Sequence, residues 1–147
     1  MDKNKFLIDL SETDRTDFGK KKFSEQSHPQ KVFSAIWAVE SEVNNGGFAQ
    51  YFENESGETA HFVAEALDTV EAPLTAAICR RAISTAFPDG LPEAPGAIGI
   101  TASDFSDDTL GELAELDDEF IQYPHNLTEL LFEYVAKHPE EFGEVAG

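Results

Sequence analysis

Several things are scarce in this 147-residue chain, and each scarcity narrows what it can be. One cysteine, Cys79, leaves no partner for an internal disulfide, and its setting in "TAAICRRAI" predicts a small buried hydrophobe in a reducing compartment. No run of about eighteen apolar residues occurs, and "MDKNKFLIDLSETDRTDFGKKK" lacks an uninterrupted apolar signal core, so the expectation is a soluble, cytoplasmic protein without membrane contact. Bases are the scarcest of all. Twenty-nine acids stand against ten Lys and Arg for a net charge of -19, and no Lys or Arg lies between Arg81 and Lys137, a stretch holding twelve acids. Direct binding to nucleic acid needs Lys or Arg against phosphate and is excluded on this charge; a cationic protein is the natural counterpart, although acidity also serves solubility.

What is present is helical periodicity. The pattern predicts an all-α, compact bundle of about six short helices, with a less regular N-terminal lead-in over 1–28, a helical domain over 29–142 and a tail over 143–147. The lead-in is expected to hold at most one short element. Ser27 caps a first helix over about 29–43, in which Val32, Ile36, Val39 and Val43 share a face. Further helices are expected over about 48–54, 57–70 and 73–87, the last with Leu74, Ile78, Ala82 and Phe87 on its core side. "FPDGLPEAPGAIGI", with three prolines in fourteen residues, reads as a connecting loop. A helix over about 107–123 is expected to bury Leu110, Leu113, Leu116 and Phe120, and Asn126 with Glu129 resembles a capping box opening a last helix to about His138.

Catalytic and metal-binding patterns are thin. Glu58 and His61 form one E-x-x-H pair, but a carboxylate-bridged di-metal bundle needs two such pairs and two more carboxylates. His28, His125 and His138 lie at predicted helix ends. No G-x-S-x-G or phosphate-loop spacing appears, so no catalytic residue, cofactor or metal is expected. The acids are more ordered. Asp108, Glu112, Glu115 and Glu119 recur at intervals of four, three and four, which places them on one helix face roughly opposite the leucines, with Asp104, Asp107, Asp117 and Asp118 flanking. At about 1.5 Å per residue the row extends over roughly 16 Å, close to five steps of a DNA strand at about 3.4 Å each. Such a row is either a solvated face or a binding surface for Lys and Arg.

The stretch "EVNNGGFAQYFEN" remains. Two glycines are costly to order, so the backbone there departs from a plain helix. Gly46 and Gly47 supply a helix break, Asn44, Asn45, Gln50 and Asn54 satisfy the backbone groups it exposes, and Phe48, Tyr51 and Phe52 re-enter the core. A polar ligand pocket built from those amides is the alternative. "EVNNGGFAQYFENESGE" resembles the signature of the bacterial DNA-mimic-protein family, a domain otherwise classed as of unknown function, with similarity over about 30–142 that takes in "LDDEFIQY" and "LLFEYVAKHPEEF". The resemblance implies a mainly helical fold, frequent dimerisation and, for the typifying member, an acidic surface that imitates duplex DNA and sequesters a transcriptional regulator. Relatives accompanying toxin systems imply an immunity role as a second expectation. A small-molecule or enzymatic role at residues 44–54 is a third.

Overall fold

The computed structural model describes residues 2–12, 22–94 and 96–142; part of the expected lead-in, 13–21, and the expected tail, 143–147, lie outside the described residues. The described chain is all-α. Its elements are α1 (Lys3–Glu12), α2 (His28–Glu53), α3 (Val63–Thr69), α4 (Pro73–Ala86), α5 (Ala97–Ala102), α6 (Asp107–Ile121), α7 (Leu127–Ala136) and α8 (Pro139–Phe142), with 3-10 segments at Phe23–Glu25 and Glu55–His61. Among the described residues no helix is long and apolar enough to cross a membrane.

The axis of the bundle is α2, 26 residues long, against which α3, α5, α6, α8 and the 3-10 segment Glu55–His61 all pack. Its start is fixed as the sequence indicates. Ser27 and Gln30 form a reciprocal capping box, and both reach α8: the Ser27 hydroxyl donates to Glu141 Oε2 at 2.7 Å and Gln30 Nε2 donates to the Glu141 carbonyl at 3.1 Å. Val32, Phe33, Ile36, Val39, Phe48, Tyr51 and Phe52 run down its buried face. The segments expected at 29–43 and 48–54 both form, as two helical stretches of α2 that meet at a kink where Gly47 leaves helical geometry. Asn44, Asn45 and Gly46 remain helical.

Four expectations need correction. The lead-in is more ordered than its weak periodicity indicates: α1 buries Leu7 and Leu10, packs on α7 through a T-shaped Phe6–Phe132 pair with ring centroids 5.5 Å apart, and pairs Lys3 with Glu129. The helix expected over 57–70 is split into Glu55–His61 and α3, although Ala60, Val63, Leu67 and Val70 are buried as expected. Within the expected loop, α5 forms and buries Ile98. Two leucines assigned to the core are on the surface, Leu74 at 58% and Leu110 at 40% exposure, because α4 turns Thr75, Cys79 and Ala82 inward and α6 turns Leu113, Leu116 and Phe120. Burial pushes the Cys79 thiol up to about 12, which keeps it protonated.

Candidate acidic interface and the kinked motif

At Gly47 the backbone adopts φ 80° and ψ -179°, a region open essentially to glycine. Helical hydrogen bonding cannot continue through such a residue, so the N–H groups that follow need other acceptors. Asp117 of α6 supplies one. Its Oδ1 accepts from the Phe48 N–H at 2.7 Å, and its Oδ2 lies so close to Gly47 that an added Cβ would stand 2.3 Å from it. Gly47 is thus required twice, by φ and by the carboxylate seated against it. Half-burial and the neighbouring Asp118 raise the Asp117 carboxyl, while the Phe48 N–H opposes that rise.

The motif amides act differently from expectation. Gln50 Nε2 and Asn54 Nδ2 converge on one carboxylate, Glu42 Oε2, at 2.8 and 2.9 Å, rather than on opened backbone. Asn44 Nδ2 donates to the Glu40 carbonyl and to the Tyr123 hydroxyl, both at 2.7 Å. Asn45 is exposed. Gly46 is helical and adjoins the Gln50 side chain, which occupies the space a Cβ would need. Phe48, Tyr51 and Phe52 are buried, Tyr51 bonding Thr59 and Phe52 meeting Phe87 edge-on at 5.1 Å. A groove of about 940 Å3 opens at the C-terminal end of α2, but of the motif amides named above only Asn54 lines it. Glu58 and His61 are on its wall; His61 Nε2 bonds the Pro92 carbonyl at 3.0 Å, and no cluster of three or more metal-ligating side chains occurs among the described residues.

Two functional partners of the motif escaped the sequence reading. Tyr123, with φ 48°, closes the end of α6 and donates its hydroxyl to Glu40 Oε1 at 3.2 Å. Removal from water pushes the largely buried Glu40 carboxyl from 4.5 up to about 7, with the Tyr123 hydrogen bond acting in the opposite direction. The only forward sign was that Tyr123 falls in the "LDDEFIQY" segment shared with the family.

The acidic row divides into roles. Asp104, Asp107, Asp108, Glu112, Glu115 and Asp118 are all exposed along α6 and its approach. Asp117 belongs to the kink. Glu119 forms a two-pronged ion pair with Arg81 at 2.7 and 2.9 Å, whose hydrogen bonds hold the Glu119 carboxyl below its ordinary range. Nor is the row opposite the core leucines: Glu112, Glu115 and Glu119 lie along the edge of α6 that faces α4. With this geometry in place, the comparison with known families is decisive. A DMP19-like protein family model matches residues 24–138. The chain belongs to the DMP19-like protein family. No curated protein and no solved structure matches it. The family match covers the Gly47 kink, the Asp117 carboxylate and the whole acidic helix, and its name is consistent with a DNA mimic.

Two outcomes follow from this geometry. Gly47→Ala should lower stability by about 1–3 kcal/mol through φ strain and the displaced Asp117 carboxylate, read from the denaturant midpoint; an unchanged midpoint contradicts the kink. Glu40 gives a pH signature. Because its folded value of about 7 exceeds the unfolded 4.5, its contribution is fully present below pH 4.5 and disappears as pH rises to about 7, on the order of 3 kcal/mol. Glu40→Gln should flatten that part of the stability profile, and an unaltered profile contradicts the burial of the charge.

Proposed function

We propose that this family member is a non-enzymatic binding domain whose outward-facing α6 acids occupy the basic, DNA-contacting surface of a regulatory protein. The observation that carries the proposal is the set Asp104, Asp107, Asp108, Glu112, Glu115 and Asp118, grouped on and beside one helix with no Lys or Arg after Arg81 until Lys137. Family membership supports it, since the family name refers to a DNA mimic. The geometry is suitable. Held against α2 by Asp117 and against α4 by the Glu119–Arg81 pair, α6 presents carboxylates from a supported frame, so little ordering remains for the moment of binding. Carboxylates spaced along about 16 Å of helix match the length over which a DNA strand presents about five phosphates. Like charges at these spacings destabilise the isolated helix by roughly 0.2–0.5 kcal/mol per pair, a cost consistent with selection for the surface.

In the test, Asp108, Glu112, Glu115 and Asp118 are replaced together by Asn or Gln. The fold should be no less stable, because like-charge repulsion is relieved and none of the four carries a structural bond named above. Binding to a partner captured from the native host and then purified should fall, mainly through slower association. The wild-type complex should weaken as salt rises, and duplex DNA should compete for the partner. Equal affinity and association rate for the neutralised variant at low salt contradict the proposal.

A further inference from the structure

A trough runs beside the acidic row with α4 as its other wall, apolar toward Leu74 and Pro124 and polar toward Ser84, Thr85, Glu112 and Glu115. It comprises two cavities, of about 430 and 380 Å3, both lined by Arg81. Leu116 and Ile78, nearly buried, form parts of the floor; Leu74, Ala77 and Pro124 line one end. Leu74, Ala77, Ile78 and Arg81 fall at helical positions i, i+3, i+4 and i+7, so α4 turns one continuous ridge toward the trough. Leu74, an expected core leucine, is 58% exposed in the first turn of α4, and His125 Nε2 accepts the Leu74 N–H at 3.1 Å to hold that turn in place.

The charges along the trough are asymmetric. Arg81 is closed onto Glu119 and Arg80 onto Asp68. Glu112 and Glu115, also on the wall, form no ion pair among the described residues. The trough is therefore apolar at one end, and at the other it carries Glu112 and Glu115 without ion-pair partners among the described residues, beside Arg80 and Arg81, which are engaged by Asp68 and Glu119. We propose that it receives one amphipathic helix of a basic partner, whose apolar side chains rest on Leu74, Ala77 and Ile78 while its Lys or Arg side chains meet Glu112 and Glu115. The proposal rests on the acidic-surface function above and extends it by an apolar anchor, which a pure phosphate imitation lacks. A groove between two packed helices accepts a third helix by ridge-into-groove packing. A second copy of this chain is a poor occupant, since it would bring another net charge of -19 and the same two carboxylates against their equivalents.

The test uses the full chain, labelled with 15N, and two synthetic peptides of identical Leu and Lys composition. One places leucines at helical spacing and the other has the order scrambled. The amphipathic peptide should bind at least tenfold more tightly and shift the amide signals of Leu74, Ala77, Ile78 and Leu116. Leu74→Gln with Ala77→Asn, both at exposed positions, should remove that advantage while leaving the scrambled peptide unaffected. Equal binding of the two peptides, with shifts confined to the outer acids, overturns the trough proposal and leaves the acidic-surface function standing. Binding of neither peptide overturns both. Self-association through the same residues assigns the trough to a second copy and overturns the proposal too.

Discussion

One hydrogen bond orders much of this molecule: the Phe48 N–H to Asp117 Oδ1 at 2.7 Å. A helix that bends through a glycine at φ 80° leaves the next amide without its acceptor, and a buried N–H without a partner costs about 1–3 kcal/mol. A carboxylate from another helix answers this need with a charge-assisted bond. The bond also sets the height and rotation of α6 against α2. The bend then sends Phe48, Tyr51 and Phe52 into the centre, where Phe48 meets Phe120 of α6 edge-on at 5.8 Å. Motif, core and acidic helix are consequently one mechanical unit.

That unit explains how a strongly acidic chain keeps its acids in distinct states. Asp117 is used internally, and Glu42 is held between two amides, Gln50 and Asn54. Glu40 lies near neutrality beside Tyr123, and Glu119 is balanced by Arg81. The remaining α6 acids face solvent, on a helix held in place by these contacts. Repulsion among them is borne by a helix anchored at both flanks, which is the condition an electrostatic recognition surface needs if it is to be preorganised.

The helical class, the Ser27 and Asn126 caps, and the burial of Phe48, Tyr51 and Phe52 were legible because each depends on neighbours within about four residues. The aromatic motif marked its own backbone break. What was not legible depended on distant elements. Asp117 differs from Asp118 only in rotation about α6, and no local pattern indicates which of two adjacent aspartates meets a kink 69 residues away. The reach of Gln50 and Asn54 to Glu42 crosses the Gly47 bend, so straight-helix spacing misplaces it. Leu7 and Leu10 lie in a weakly periodic segment that becomes ordered on α7, and Leu74 and Leu110 satisfy helical periodicity yet remain exposed.

The central claim, that a side chain of the acidic helix caps the motif's bend, is tested most directly by hydrogen exchange at the Phe48 amide in wild type and Asp117→Ala. The account predicts strong protection in wild type and a loss at Phe48 in the variant that exceeds the change at core amides such as Leu67. Protection of Phe48 that is the same in both proteins, or absent from wild type, would contradict it.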